Sequence, residues 1–224
     1  MQDVLSAGPD APQSPQPVSK ADMVADALRE RILYGLYRPG EAIHEAPLQA
    51  ELGVSNTSVR SALQRLAAEG VVTRSPQHGA RVVELSEGEL IQRFELRVVL
   101  VETAAQFAAY RANTSVLREA DALHVSLDAA FTGMKSGRFE LMNGQLMNWL
   151  FRAAGNRHLL DMWNRTQHVE RIYTYESLRR TVAANSAPLQ HRLVDVIEDR
   201  KVDAARETAR ILQRQVLRDL DLDV

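Results

Sequence analysis

The segment between Gly53 and Gly70 constrains the fold of this chain more than any other part of the sequence. Four apolar residues recur there at the spacing of one helical face, and they are Val59, Ala62, Leu63 and Leu66. The spacing predicts a helix that buries this stripe and runs to Glu69, where Gly70 stops it. Ser55 is placed to cap the helix, because its hydroxyl can accept a hydrogen bond from a free N–H group of the first turn.

The segments on both sides of this helix complete an ordered set of elements. Apolar residues at helical spacing predict a first helix over 19–34, a turn follows at 38–40, and a short second helix covers 45–52. Two β-rich segments, 71–73 and 80–83, follow the third helix with turn residues between them. Three helices followed by a hairpin predict a winged helix-turn-helix.

Charge is distributed unevenly along the chain. The whole sequence has a net charge of −2, which argues against a protein that coats nucleic acid without specificity. The segment from Ser55 to Arg81 nevertheless contains four arginines and one acid, which are Arg60, Arg65, Arg74, Arg81 and Glu69. A local basic surface within a neutral whole is typical of a protein that reads DNA with one small face.

The polar face of the third helix has side chains of the types that contact DNA. That face contains Ser55, Asn56, Thr57, Ser58, Arg60 and Gln64. Arg60 is suited to guanine or phosphate, Asn56 to adenine, and the hydroxyl groups to phosphate. His78 and Gly79 occupy the hairpin tip, where they are suited to the minor groove. Two alternatives stay open, because every surface helix has a solvated polar face and His78 is also an ordinary turn residue.

The beginning of the chain differs from the rest in composition. Residues 1–18 contain four prolines among small and polar residues, which predicts a disordered leader. The chain has no cysteine, no secretory signal pattern and no run of about 18 apolar residues. We therefore expect a cytoplasmic protein with no membrane partner.

Beyond Glu84, glycine and proline become sparse and helical periodicity continues almost to the end of the chain. Ser86 and Glu89 have the spacing of a capping box, which predicts the start of a long helix. Further helices are predicted over 114–135, 138–154, 157–182, 188–200 and 202–220. The expected fold class is therefore mainly α, with a leader over 1–18, a winged helix-turn-helix over 19–84 and an all-helical bundle over 85–224.

The first half resembles the DNA-binding domain of the GntR family. The resemblance is carried by Leu28–Gly35, Arg38–Glu41, Leu52–Ser55, Val59–Leu66 and Glu69–Gly70. It implies DNA contacts from the start of the third helix and from the hairpin tip, which are Ser55, Asn56, Thr57, Ser58, Arg60, His78 and Gly79. The family commonly has arginine where this chain has Asn56, and often where it has Ala46, so the operator sequence does not follow from the resemblance.

The second half resembles the helical effector domain, called FCD, of one GntR subgroup. The resemblance is carried by Phe94–Arg97, Glu102, Ala104–Ala105, Leu150–Asn156 and Gln190–His191. It implies a homodimer in which each bundle encloses a cavity for a small organic acid, often together with a divalent metal ion.

The resemblance also locates the metal ligands of that subgroup, which are an Asp and a His four residues apart and two later histidines. The corresponding positions are Asn143, Met147, His191 and Gln213, with Gln215 as the neighbouring alternative for the last one. Amides and a thioether are poor ligands for Zn²⁺ or Ni²⁺, so the sequence predicts no bound metal. His191 is then either a hydrogen-bonded structural residue or part of the cavity wall.

Arg97 is the most informative residue of the predicted cavity, because it lies on the apolar stripe of its helix. A buried guanidinium needs a partner, and both an internal acid such as Glu102 and an anionic ligand remain possible. Further lining candidates are Asn143, Met147, Trp149, Arg152 and His191. Trp149 and Trp163 fit the core better than a ligand site, whereas His124, His158 and His168 are predicted at the surface.

The sequence thus predicts a transcriptional regulator, a dimeric repressor whose affinity for a palindromic operator changes when a carboxylate-bearing metabolite binds. It contains no GxSxG, no phosphate-binding glycine loop and no HExxH, so an enzyme is not expected. A protein-interaction module would leave the basic third helix without a role.

Overall fold

The computed structural model describes residues 19–132, 136–177 and 183–222, so the predicted leader lies outside the described residues. Within those ranges the structure has ten α-helices and three β-strands. The N-terminal half contains α1(Lys20–Leu33), β1(Ala42–Ile43), α2(Glu45–Leu52), α3(Asn56–Ala68), β2(Val72–Ser75) and β3(Gly79–Val82). The C-terminal half contains α4(Glu87–Arg111), α5(Thr114–Leu117), α6(Ala120–Thr132), α7(Ser136–Ala153), α8(Arg157–Ser177), α9(Ala183–Glu198) and α10(Val202–Asp219). The predicted fold class, a winged helix-turn-helix followed by an all-helical domain, is confirmed.

Helix α3 forms as its sequence predicts. The Ser55 hydroxyl accepts a hydrogen bond from the Ser58 N–H, and the predicted apolar stripe is completely buried. The stripe packs into one core with Leu28 and Ile32 of α1. Burial of this stripe fixes which face of α3 is turned toward the solvent, and that is the polar face.

The sheet contains one strand that the sequence pattern does not predict. Its strand order is β1-β3-β2 and both pairings are antiparallel, with Ala42 opposite Arg81 and Ile43 opposite Ala80. Strand β1 has only two residues, which is too short to show an alternating pattern. The wing is therefore a three-stranded sheet attached to the start of α2.

The long helix α4 is the axis of the C-terminal half. Its capping box is formed, since the Ser86 side chain accepts from the Glu89 N–H and the Glu89 carboxylate accepts from the Ser86 N–H. The Ser86 hydroxyl also donates to the Glu89 carboxylate at 2.7 Å, and this bond together with the one from the Ser86 N–H lowers the pKa of Glu89. Helix α10 packs along α4, and the main hydrophobic core of this half lies among α4, α7, α9 and α10.

Two helices of the bundle differ from the prediction. The single helix predicted over 114–135 is divided into α5 and α6. Near the end of α5, the Val116 carbonyl accepts from the Trp149 indole N–H at 2.9 Å and from the Glu119 N–H at 3.1 Å. Helix α9 begins at Ala183, five residues before the predicted start, so Pro188 lies inside the helix and removes one backbone donor.

The two halves meet along α8. Val169 and Ile172 of this helix are buried in the core of the winged helix-turn-helix, and Val169 also approaches Gly70. The Leu85 N–H donates to the Tyr173 hydroxyl at 2.7 Å. Helix α8 is thus a structural part of both halves. No helix in the described part of the chain is long and apolar enough to cross a membrane.

Candidate nucleic-acid interface and effector site

The predicted DNA-contacting residues of α3 lie together on the protein surface. Five of the six are exposed, and these are Ser55, Asn56, Thr57, Arg60 and Gln64. The sixth, Ser58, is half-buried, and its hydroxyl lies 2.9 Å from that of Ser55. The two serines therefore support the first turn of the helix, while the other four present amide, hydroxyl and guanidinium groups to the solvent.

Arg60 has an acidic neighbour that the sequence reading did not single out. Its Nε donates to Oε2 of Glu45 at 2.9 Å, and the Arg60 side chain is still 64% exposed. Arg74 of the wing approaches the other carboxylate oxygen of Glu45 at 3.9 Å. Glu45 thus holds one arginine of α3 and one of the wing on the same surface. The only sequence feature that pointed to Glu45 was its position at the first turn of α2.

The hairpin tip has the backbone that its sequence requires. Gly79 has a φ of 68°, a conformation that L side chains rarely adopt, and no atom lies within 4 Å of the position of an added Cβ. The His78 N–H donates to the Ser75 hydroxyl at 3.0 Å, and both His78 and Gly79 are exposed. The tip is a fixed turn that presents an imidazole to the solvent.

Other arginines of the basic segment stabilise the fold. Arg65 pairs with Asp22 and Glu69, and Arg81 donates to the Gly40 carbonyl at 3.0 Å. The basic patch predicted from composition is therefore divided in the structure. Arg60 and Arg74 share the face of Glu45, while Arg65 and Arg81 connect α3 and the wing to the rest of the domain.

A second connection inside the N-terminal half is more buried. Arg29 of α1 binds the Glu69 carboxylate through Nε at 3.0 Å and Nη2 at 2.9 Å. Burial lowers the pKa of Arg29, but its bonds to the Asp26 and Glu69 carboxylates outweigh burial, so the pKa is raised. His168 of α8 lies half-buried beside this pair, and burial lowers its pKa. The prediction that His168 is a surface residue is therefore wrong.

In the helical half, Arg97 points inward and is 6% exposed. Its Nε donates to Oε1 of Gln213 at 2.7 Å, and its guanidinium carbon lies 4.7 Å from the ring centre of Trp163. Glu102, the internal partner considered from the sequence, instead accepts from Arg206 at 3.2 Å. Trp149 and Trp163 are both core residues, as predicted, and Trp163 also provides an aromatic face for the Arg97 cation.

Glu170 of α8 is a buried acid that sequence reasoning missed. It is 2% exposed, its Oε1 lies 3.7 Å from Nη1 of Arg93, and no described group forms a hydrogen bond to its Oε2. Burial raises the pKa of Glu170, and the charges of Arg97 and Arg93 oppose this effect. Its signal in the sequence was weak, because an acid in a polar segment looks like a surface residue.

The interior positions that correspond to the subgroup's metal ligands do not fit a metal ion. Gln190 donates through Nε2 to the amide oxygen of Asn143 at 3.3 Å, while Met147 is 1% exposed within the core. The amide oxygen of Gln213 already accepts from Arg97, and the guanidinium brings a positive charge to this position. A set of amides and a thioether beside a cation is a poor donor set for Zn²⁺ or Ni²⁺.

Two predicted lining residues lie in other surroundings. Arg152 is exposed and binds Glu119 through two guanidinium nitrogens, at 3.0 and 2.5 Å. It lines an outer pocket of about 420 Å³ between α6 and α7, whose lining does not include Arg97. His191 stacks on His124 and faces Asp128, and the residue of α9 that faces Asn143 is Gln190.

Comparisons with known proteins agree with this architecture. The model of the gntR family of bacterial regulatory proteins matches residues 20–82, and the model of the FCD domain matches residues 92–214. Among solved structures, E. coli McbR/YncC superimposes with a TM-score of 0.78 at 20% identity and covers 92% of this chain and 98% of its own. A putative GntR regulator from Rhodococcus sp. RHA1 superimposes with a TM-score of 0.72 at 19% identity, over 88% and 97% of the chains. At these identities the likeness shows the fold.

Curated relatives are regulators as well. The HTH-type transcriptional repressor GlaR of Escherichia coli is 28% identical over 200 residues, which are 87% of this chain and 86% of that protein. The Nta operon transcriptional regulator of Aminobacter aminovorans is 42% identical over 88 residues, only 37% of this chain and 41% of that protein. Fold, surface and relatives together define a transcriptional regulator with a DNA-binding domain and an effector-binding domain, and not an enzyme. The chain belongs to the GntR family of bacterial regulatory proteins, in the group with an FCD domain.

Proposed function

We propose that the chain is a homodimeric repressor that binds a palindromic operator and changes its operator affinity when a small carboxylate binds in the helical domain. The observation that carries this proposal is the position of α8. Trp163 of this helix contacts Arg97 in the bundle, and Val169 and Ile172 are buried in the core of the DNA-binding domain. The proposed place of action is the cytoplasm, where the DNA lies.

The DNA contacts of the proposal come from α3 and the wing. They are Ser55, Asn56, Thr57, Ser58, Arg60, Gln64, His78 and Gly79. Arg60 is expected to contribute most, because a guanidinium that contacts guanine or phosphate forms charge-assisted hydrogen bonds. Its bond to Glu45 uses Nε and holds the side chain on the α3 surface before DNA arrives. Asn56 and Ala46 replace two common arginines of the family, so part of the base readout is expected to be specific to this chain.

The effector site of the proposal is centred on Arg97. A carboxylate that replaces Gln213 as its partner would exchange a neutral acceptor for a charged one in a buried site. The proposed site also includes Asn143 and Met147. Gln190 donates to Asn143, and Oε1 of Gln190 and Oγ of Ser186 are buried with no hydrogen-bond partner among the described groups. The proposed site leaves out Arg152 and His191, whose side chains bind Glu119 and His124.

Dimerisation is supported by an exposed apolar face on α4. Leu96, Val99 and Tyr110 lie on one side of this helix and are 43%, 60% and 76% exposed. A contact between two copies along this face would bury the three side chains. It would also connect the helix that carries Arg97 to its equivalent in the partner, so one effector could change the separation of two recognition helices.

The test is the selection of bound duplexes from a random DNA pool by the full chain at physiological salt. We expect a short inverted repeat, which reports sequence-specific readout by a dimer. Arg60→Ala should weaken binding to the selected duplex by about 1–3 kcal/mol, the cost of losing one good guanidinium contact. Arg157→Ala is the matched control, because this arginine is 90% exposed on α8 and lies outside the proposed interface. Equal operator affinity of the Arg60 variant and the wild type would overturn the assignment of this surface.

A further inference from the structure

A cluster of histidines and acids lies between α6 and α9, away from the interior around Arg97. On α6, the residues at positions i, i+3 and i+7 of one helical face are Asp121, His124 and Asp128. On α9, the residues at i, i+4 and i+7 are His191, Asp195 and Glu198. Each histidine faces acids of the opposite helix. Neither the DNA-binding surface nor the proposed effector site uses this cluster.

The ligand atoms of three of these residues lie close enough together to be considered as a site for a small divalent ion. Nε2 of His124 lies 3.2 Å from Oδ1 of Asp195 and 3.9 Å from Oε2 of Glu198. Potential ligand atoms of the three residues all lie within 4.8 Å of one another. A tetrahedral Zn²⁺ ion with bonds of about 2.0–2.2 Å holds its ligand atoms about 3.3 Å apart.

The hydrogen bonds of the two histidines are the second observation. The Nδ1 atoms of His124 and His191 are 2.6 Å apart, so one of them donates to the other, and the two rings are stacked. Each Nε2 lies 3.2 Å from a carboxylate oxygen of the opposite helix, which belongs to Asp195 for His124 and to Asp128 for His191. The Nδ1 atoms are therefore occupied with each other, and the Nε2 atom of His124 is directed toward the acids.

A metal ion on Nε2 of His124 would be compatible with these contacts. Nδ1 of His124 would then donate to Nδ1 of His191. The ring of His124 would be oriented by this hydrogen bond from its other nitrogen. This is the usual arrangement around a histidine that binds a metal.

The surrounding charge also favours a cation. Three further acids lie near Glu198, and these are Asp121, Asp195 and Asp199. A divalent ion between these carboxylates would reduce their mutual repulsion.

We propose that His124, Asp195 and Glu198 bind one divalent transition-metal ion, with Zn²⁺ as the best match, and that His191 orients His124 through their Nδ1 atoms. An imidazole and two carboxylates form a mixed donor set that suits Zn²⁺ better than Ca²⁺ or Mg²⁺. The acids are partly exposed, so water completes the coordination. The ion would join α6 to α9, and it would lie outside the interior positions Asn143, Met147 and Gln213.

The test is calorimetric titration of the metal-stripped, untagged full chain with ZnCl₂. The wild type should bind one Zn²⁺ ion per chain. Asp195→Asn should weaken binding by at least tenfold, and His124→Gln should remove saturable binding. His191→Phe keeps a stacked ring but removes the acceptor, so we expect a loss of about 10–100-fold. Affinity should fall as the pH falls, because a proton and the ion compete for the same nitrogen.

Two control variants make the result specific. His158→Gln removes an exposed histidine of α8, and Asn143→Ala removes an interior amide; both should bind Zn²⁺ like the wild type. Circular dichroism of each variant verifies that it is folded. The proposal is overturned if the wild type binds no Zn²⁺, if folded His124→Gln binds as tightly as the wild type, or if Asn143→Ala and not Asp195→Asn loses the ion. If the wild type binds no Zn²⁺, His124 and His191 are only a hydrogen-bonded pair.

Discussion

The winged helix-turn-helix, here called the head, and the helical domain, here called the bundle, use polar side chains in opposite ways. In the head, the polar residues of α3 are exposed, and an apolar stripe with 0% exposure at Leu63 and Leu66 holds them in place. In the bundle, Arg97, Gln213 and Glu170 are buried; Arg97 donates to Gln213, and its charge acts on Glu170. A surface that reads DNA needs a rigid frame and free polar groups, whereas a site that senses a small molecule needs buried polar groups whose partners can be exchanged.

The largest expected effect comes from a substitution in the buried core that supports α3. Leu63→Ala removes a fully buried side chain from α3 and should cost about 2–5 kcal/mol of unfolding free energy. Leu146→Ala is the matched change in the bundle, since Leu146 is also 0% exposed. Urea unfolding measures the stability of both variants, and gel shift measures operator binding.

The two variants should separate the roles of the two cores. With Leu63→Ala, operator binding should be lost before the bundle unfolds, and with Leu146→Ala the loss of stability should affect effector binding first. Because Val169 and Ile172 of α8 lie in the core of the head, some destabilisation should reach the bundle in the first variant. Identical loss of both activities in both variants would mean that the two halves unfold as one unit, and the comparison would fail.

The second prediction concerns the exchangeable partner of Arg97. Arg97→Lys keeps the charge but loses the planar guanidinium, so binding of a small carboxylate should weaken by about 1.5–3 kcal/mol, or about ten- to a hundredfold. Operator affinity in the absence of carboxylate should not change. Thermal shift with a panel of mono- and dicarboxylates measures the first effect, and gel shift measures the second.

Arg152→Ala is the control for this prediction, because Arg152 is an arginine of the same domain whose guanidinium binds Glu119 at the surface. It should leave the carboxylate response intact. If the Arg152 variant lost the response and the Arg97 variant retained it, the effector would occupy the outer pocket and the interior site would be wrong.

The difference between the two regions also explains what the sequence could predict. The head follows local rules: the stripe of α3, the cap at Ser55 and the turn at Gly79 were predictable, and only the two-residue β1 was too short to detect. Arg97 was predictable as an inward residue because it lies on an apolar stripe. These features depend on neighbours that are close in the sequence.

The missed features depend on residues that are far apart in the sequence. Arg97 meets Gln213 across 116 positions, and the hydrogen bond from Trp149 to Val116 of α5 spans 33 positions. Glu170 and His168 lie in a polar segment, and only the packing of α8 against both halves buries them. Helical periodicity shows which face of a helix is buried, but not which distant element covers that face. The partners of the buried residues in the bundle could therefore not be predicted.

The smallest expected effect is a pH-dependent change in stability caused by Glu170, the buried acid of α8. Burial raises its pKa, so the folded protein binds its proton more tightly than the unfolded chain, in which the pKa is close to the ordinary value of 4.5. Its contribution to stability is therefore fully present below pH 4.5 and decreases as the pH rises through the folded pKa. Glu170→Gln keeps the shape without the ionisation, so its melting temperature relative to the wild type should rise with pH from 4.5 upward. Glu207→Gln, at an exposed acid of α10, should show no such trend. If the difference in melting temperature between Glu170→Gln and the wild type were the same at all pH values, Arg93 and Arg97 would fully compensate the buried charge. Ionisation of Glu170 would then not oppose folding, and the inference would be wrong.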